Sequence, residues 1–280
     1  MCASIKIDKS IPPVRQAYRR IPIPLEELAL LKLKELESQG IVEKVYEASE
    51  WVSPMLVKRK NSNEVRIIID LREANKAIVR EVHPLPTMEQ MICKLRGSTC
   101  FTKLDVKQAF HQLLLREDCR YITTFISPLG LMRYKRLVFG LSAAPELFQK
   151  CMETILGEFS WIIIFIDDIL IFAPNLPILR LRTEKIRRRL EQKNVILNET
   201  KTIENANEID FLGFHLSSEG VKISNEKLQI ISKFRQPKST EELRSFLGLV
   251  TFVNRYIPDL STISQPLNAL TRKGTPFFLE

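Results

Sequence analysis

Two things are scarce in this 280-residue sequence: soft metal ligands in any usable spacing, and long uncharged runs. Its three histidines and five cysteines (Cys2, Cys93, Cys100, Cys119 and Cys151) form no CxxC pair and no zinc-ligand spacing, so the thiols are expected to be reduced and structural. No stretch reaches the roughly 18 to 20 apolar residues of a membrane span, and Met-Cys-Ala-Ser-Ile-Lys at the start lacks the apolar region of a signal peptide. A membrane partner is therefore not expected, and an intracellular setting is. No short-period repeat or low-complexity tract interrupts the chain, which reads as one continuous architecture.

What is present is enough apolar material, 45% of residues, to build a real core. Forty-two Lys and Arg against thirty-three Asp and Glu leave a net charge of +9, a balance that favours a polyanionic partner such as nucleic acid. The alternative at this level is a basic protein that is merely soluble.

The local patterns mix helices and strands, so the fold class is α+β. A proline-rich arm around Ile11-Pro-Pro-Val and Ile21-Pro-Ile-Pro24 leads into an amphipathic helix from Leu25 to Gln39, capped by Gly40. Strands are expected over Val52–Lys58, over Val65–Asp70 after the turn Asn61-Ser-Asn63, and over Cys100–Asp105. Further strands are expected over Tyr121–Phe125 and Leu131–Val138 across Ser127-Pro-Leu-Gly130. Helices are expected over Pro145–Leu156 and Arg180–Gln192. A hairpin of Ile209–Leu216 with Val221–Ile223 follows, and then a helix opened by the capping box Ser239-Thr-Glu-Glu242.

One stretch conflicts with its surroundings. Trp161-Ile-Ile-Ile-Phe-Ile-Asp-Asp-Ile-Leu-Ile-Phe172 places Asp167 and Asp168 inside an apolar run that reads as two strands and a tight turn. Adjacent carboxylates in a low-dielectric setting repel and tend to take up protons, unless a cation lies between them. A solvent-exposed Asp-Asp turn is the bland alternative. A third carboxylate, Asp105, ends the apolar strand Phe101-Thr-Lys-Leu-Asp105 and is expected beside the hairpin. Three carboxylates on neighbouring strands can bind two hard cations for phosphoryl displacement, which leaves nucleotidyl transfer and nuclease chemistry both open.

A set of motifs goes further. They are Ser49-Glu-Trp-Val-Ser-Pro54, Val65-Arg-Ile-Ile-Ile-Asp-Leu-Arg-Glu-Ala-Asn-Lys76, His83-Pro-Leu-Pro86, Phe101-Thr-Lys-Leu-Asp105, Phe139-Gly-Leu-Ser-Ala-Ala-Pro-Glu-Leu-Phe-Gln149, Phe165-Ile-Asp-Asp168, Phe211-Leu-Gly213 and Leu243-Arg-Ser-Phe-Leu-Gly248. In this order and spacing, from about Pro13 to Phe278, the sequence resembles the reverse transcriptase region of the Pol polyprotein of gypsy-type (Metaviridae) long-terminal-repeat retrotransposons.

The resemblance implies a right-hand polymerase fold. It divides the chain into an N-terminal arm and fingers at 1–80, palm at 81–112, fingers again at 113–147, palm at 148–221, and thumb with the start of a connection at 222–280. The function implied is RNA-directed DNA polymerase, extending a DNA or RNA primer on an RNA or DNA template with deoxynucleoside triphosphates. The alternative is a catalytically inactive, nucleic-acid-binding remnant. The resemblance further implies two Mg²⁺ ions, with Mn²⁺ as substitute, bridged by Asp105 and Asp167 and supported at the primer end by Asp168.

Arg59, Lys60 and Arg66 match cations that clasp the triphosphate. Phe110 matches the aromatic gate against a ribose 2′-hydroxyl, whose alternative role is a core aromatic. Phe139 and Gly140 match the loop under the templating base and nucleotide, with Gln149 on the helix supporting it. Phe211, Leu212, Gly213 and Phe214 match the primer grip, and Gly248 and Phe252 match thumb positions that follow the primer–template minor groove. Two departures stand out: Phe165 replaces a common tyrosine without removing a metal ligand, and of a Lys-Cys pair only Lys201, the implied general acid to pyrophosphate, remains. No RNase H, protease, integrase or zinc-knuckle motif is seen, which leads to the expectation of an isolated polymerase region. The setting implied is the cytoplasmic retrotransposon particle, with the nucleus as the alternative.

Overall fold

The apolar runs at 100–105 and 162–173 form the centre of a four-stranded sheet. The computed structural model describes residues 2–61, 63–81, 83–272 and 274–278. The sheet runs in the order Ile162–Phe165, Asp168–Ala173, Cys100–Asp105, Ile203–Ala206, with antiparallel neighbours throughout. Side chains alternate between faces along each strand. Cys100, Leu104, Ile169, Ile171 and Ala173 enter the main core with Met152, Ile155, Leu179 and Ile186 of the helices Ala144–Leu156 and Leu176–Gln192. Phe101, Leu170 and Phe172 enter a second core with Met91, Leu95, Phe211, Phe214 and Leu216. Burial on both faces explains why these strands read as unbroken apolar runs.

A five-stranded sheet lies on the N-terminal side, ordered Val42–Lys44, Gly130–Tyr134, Phe125–Ser127, Ser53–Arg59, Val65–Ile69. The helix Ile23–Ser38 sends Ala29, Leu33 and Leu36 into the shared core and ends before Gly40, whose φ of 64° is the left-handed cap expected of glycine there. No helix among the described residues is long and apolar enough to cross a membrane.

Three strand expectations are corrected, of which the simplest is Leu131–Val138, where the strand is Gly130–Tyr134 and ends four residues early. Tyr121–Phe125 is not a strand: residues Glu117–Thr123 form a 3₁₀ helix, and the strand begins at Phe125. The hydroxyls of Thr123 and Thr124 donate to Arg120 O and Tyr121 O at 2.7 and 2.8 Å, offering the backbone a local alternative to the ladder. Ile209–Leu216 is two strands, Ile209–Phe211 and Phe214–Ser217, because Leu212 and Gly213 take φ of 52° and 83° and turn the chain back on itself. Two positive φ values between the paired Phe211 and Phe214 are the signature of a type I′ hairpin. Elsewhere the strand Cys100–Asp105 ends where expected, and Ser239 accepts from the Glu242 N–H at 3.2 Å to open the helix Thr240–Phe252. Ser62 of the anticipated Asn61-Ser-Asn63 turn lies outside the described residues.

Candidate active site

Strand register brings the carboxylates together. Asp168 is the antiparallel partner of Asp105, which puts the two side chains on one face at directly opposed positions, roughly 5 Å apart at Cβ. Asp167 occupies the turn between Phe165 and Asp168, and its carbonyl accepts from the Val106 N–H at 2.9 Å, tying the turn to the end of the neighbouring strand. The turn is strained: Ile166, β-branched, holds a φ of 56°, a conformation that hairpins usually give to glycine.

The site is electrostatically crowded. Burial raises the Asp167 carboxyl above the usual carboxylate range, and the nearby Asp168 and Asp105 push it in the same direction, while Lys201 opposes them. Two lysines partly offset the repulsion. Lys103 Nζ lies 3.1 Å from Asp168 Oδ1, and Lys201 Nζ lies 3.6 Å from Asp105 Oδ2. Among the described residues, no three carboxylate, imidazole or thiol groups are gathered closely enough to hold one metal ion. The donor set itself, three carboxylates with hard oxygens and a raised carboxyl among them, suits Mg²⁺ rather than a soft metal.

Of the residues expected on the nucleotide side, Phe110, Phe139 and Arg66 form one contiguous group. The Phe110 and Phe139 rings are 4.6 Å apart, Phe148 closes on Phe110 at 5.7 Å, and the Arg66 guanidinium lies over the Phe139 ring at 5.5 Å. Phe139 is 47% exposed whereas Phe110 is buried, so Phe139 forms the accessible surface and Phe110 its backing. Gly140 takes a φ of 98°, and its carbonyl accepts from Asn75 Nδ2 at 2.8 Å while Asn75 Oδ1 accepts from the Ser142 N–H at 2.9 Å. Arg59 and Lys60 are exposed at the tip of the Ser53–Arg59 and Val65–Ile69 hairpin, where Lys60 pairs with Glu64 at 2.8 Å.

Gln149 departs from a direct nucleotide role. It is fully buried; its amide donates to Ile164 O at 3.0 Å and accepts from the Ile166 N–H at 2.7 Å, so it supports the aspartate turn from behind. His111, next to Phe110, packs on Tyr134 and edge-on to Phe139, and burial together with Arg136 lowers its pKa to about 4.

On the other side of the carboxylates, the Phe211–Phe214 hairpin meets the helix Thr240–Phe252. The rings of Phe214 and Phe252 are 4.9 Å apart, and Lys227 Nζ lies 5.3 Å over the Phe252 ring. Gly248, on the same helix, is exposed, and a Cβ placed there would meet nothing within 4 Å. The Phe211 and Phe252 groups are thus one assembly, and Lys103 Nζ joins it to the carboxylates by lying 5.8 Å from the Phe211 ring centroid.

Lys103 and Asn75 are the residues that sequence reasoning passed over. The signal for Lys103 was a single cation on the Asp105 face of an otherwise apolar strand, two residues from the aspartate. Asn75 carried no local signal, because its partners lie 65 and 67 residues away.

A family model described as reverse transcriptase (RNA-dependent DNA polymerase) matches residues 57–216. The chain is 31% identical over 265 residues to the Transposon Tf2-3 polyprotein of Schizosaccharomyces pombe, a match covering 92% of this chain and 20% of that polyprotein. The Transposon Tf2-7 polyprotein of the same organism matches with the same identity and coverage. The chain therefore spans about a fifth of the length of these curated relatives.

Among solved structures, the foamy viral protease-reverse transcriptase dRH in complex with double-stranded DNA superposes with a TM-score of 0.87 at 23% identity, covering 99% of this chain and 49% of that one. The foamy viral protease-reverse transcriptase in complex with an RNA/DNA hybrid gives a TM-score of 0.84 at 23% identity, covering 98% and 37%. The fold is accordingly the right-hand polymerase fold, with fingers, palm and thumb.

Proposed function

The chain belongs to the reverse transcriptase family, and we propose that it is the polymerase region of a gypsy-type long-terminal-repeat retrotransposon polyprotein, extending a primer on an RNA or DNA template with deoxynucleoside triphosphates. The observation that carries the reading is the register pairing of Asp105 with Asp168 beside the Asp167 turn. The motif series and the 31% identity to the Tf2 polyproteins support the retrotransposon origin. In this reading the N-terminal arm and fingers comprise 1–80, with fingers again at 113–147, the palm 81–112 and 148–221, and the thumb with the start of the connection 222–280, with the cytoplasmic retrotransposon particle as the place of work.

Asp105, Asp167 and Asp168 are the residues that would hold two Mg²⁺ ions, and such ions would supply activation of the primer 3′-hydroxyl and stabilisation of charge on the α-phosphate and pyrophosphate. The protein's own groups do the rest by position. Arg66, with Arg59 and Lys60 at the hairpin tip, supplies the cations for the triphosphate, and a guanidinium suits two-point contact with phosphate oxygens. Phe139 offers its exposed face to the nucleotide, and the buried Phe110 ring behind it holds that face in place. The Phe211–Phe214 hairpin and the Gly248 face of the thumb helix receive the primer–template, whose phosphates the excess of basic residues suits.

The two foamy viral structures are complexes with double-stranded DNA and with an RNA/DNA hybrid, which supports a duplex partner for this fold. The test is deoxynucleotide incorporation on a primed RNA template in Mg²⁺. Incorporation supports the reading; a folded, template-binding preparation that incorporates nothing overturns it in favour of a binding remnant.

A further inference from the structure

The turn that carries Asp167 is held by a chain of polar side chains extending away from the nucleotide side. Gln149 Oε1 accepts from the Ile166 N–H at 2.7 Å, and Gln149 Nε2 donates one proton to Ile164 O at 3.0 Å. Its second proton goes to Glu153 Oε1 at 2.7 Å. Glu153 Oε2 lies 2.7 Å from His83 Nε2, and because an ionised carboxylate only accepts, that nitrogen carries the proton.

The chain has a definite electrostatic logic. A glutamine amide rotated by half a turn keeps its shape and inverts its hydrogen bonding. Rotated here, Nε2 would face the Ile166 N–H, and Oε1 would face both Ile164 O and the Glu153 carboxylate. Gln149 is fully buried, so the clashes with the Ile166 N–H and Ile164 O could not be relieved by bulk water. Glu153, an acceptor that only the N–H₂ end can satisfy, reinforces the orientation that the two backbone groups require, and His83 holds the carboxylate from its far side. Gln149 and Glu153 lie one turn apart on the helix Ala144–Leu156, whereas His83 comes from the segment before the helix Met88–Leu95.

We propose that His83 and Glu153 are positioning residues for Asp167. Acting through Gln149, they hold Ile166 in its left-handed conformation and thereby fix the direction in which the Asp167 carboxylate leaves the turn. Neither residue belongs to the carboxylate triad or to the nucleotide-side group. The kinetic consequence rests on the polymerase reading; the relay itself does not.

The experiment pairs two readouts on the full chain. Hydrogen exchange over 164–168 reports protection of the Ile166 amide, and primer extension reports kcat separately from the nucleotide KM. Glu153→Leu, which removes the acceptor, is expected to lose that protection and to lower kcat by about 10- to 100-fold, the scale of a misplaced reacting group, with KM and primer–template affinity little changed. Glu153→Gln can still accept from Gln149 and should retain protection, with kcat within about threefold of wild type. His83→Phe should show a weaker loss in the same direction.

Unchanged protection or unchanged kcat in Glu153→Leu overturns the proposal, as does a Glu153→Gln variant as impaired as Glu153→Leu. If Glu153→Leu fails to fold, Glu153→Gln and His83→Phe decide the matter on the same criteria. A wild-type chain without incorporation counts against the polymerase reading, and the exchange readout then decides the relay alone.

Discussion

Lys103 Nζ lies 3.1 Å from Asp168 Oδ1, with both side chains about one-fifth exposed. The lysine sits on the strand paired with that of Asp168, two residues before Asp105, so its ammonium occupies space beside the carboxylates and also reaches the Phe211 ring. It acts as a resident counter-charge for a cluster that would otherwise repel itself.

Removing that charge should reveal its role. Lys103→Met is expected to destabilise the metal-free chain by about 1 to 3 kcal/mol, the cost of leaving a partly buried carboxylate unpaired. Mg²⁺ should then raise the melting temperature more in the variant than in wild type, since no ammonium has to be displaced. Thermal denaturation with and without Mg²⁺ checks this, and equal metal-induced shifts would contradict it.

His111 makes a pH prediction. Burial, reinforced by Arg136, lowers its pKa to about 4 in the folded chain, against about 6.5 for an exposed histidine. The unfolded chain therefore takes up the proton first as pH falls. The neutral-His111 contribution is complete above about pH 6.5 and is lost between there and about pH 4, by on the order of 3 kcal/mol in all. Its Nδ1 is buried with no hydrogen-bond partner among the described residues, so a phenylalanine gives up little there. His111→Phe should flatten the stability profile over that window and be the more stable protein at pH 5, as read from denaturant midpoints across pH.

Gly213 makes a packing prediction. Its φ of 83° disfavours any side chain, and a Cβ there would lie 3.1 Å from Lys227 Cε and 3.2 Å from Phe252 Cζ. Lys227 can move, but the Phe252 ring is packed on Phe214. Gly213→Ala is expected to cost about 1 to 2 kcal/mol and to separate the hairpin from the helix Thr240–Phe252. Primer–template affinity should weaken while the nucleotide KM stays near the wild-type value, a pattern that equilibrium binding and steady-state kinetics separate.

Much of this site could be read from residue order alone. The strand Cys100–Asp105 and the Asp167–Asp168 turn were legible because an apolar run broken once by carboxylates has to end or turn where they stand, and register then made Asp105 and Asp168 neighbours. What stayed hidden depended on distant partners. Asn75 anchors a loop 65 residues away, and Gln149 has the sequence position of a nucleotide contact but is buried behind Ile166. The Tyr121–Phe125 stretch has strand composition, yet threonine hydroxyls captured its backbone first. Leu212 in a left-handed turn position has no propensity signal at all; it is held there by the pairing of Phe211 with Phe214 on either side.

The central claim is that the three carboxylates perform nucleotidyl transfer, and Asp167→Asn tests it most directly. Because burial and two neighbouring carboxylates raise the Asp167 carboxyl, its charge opposes folding at neutral pH, and the neutral isostere should melt at a higher temperature in the absence of metal. The same variant should incorporate deoxynucleotides on a DNA-primed RNA template in Mg²⁺ at least about 1,000-fold more slowly than wild type, while binding the hybrid as tightly. Robust incorporation by Asp167→Asn, or none by a folded wild-type chain that binds the hybrid, would contradict the account.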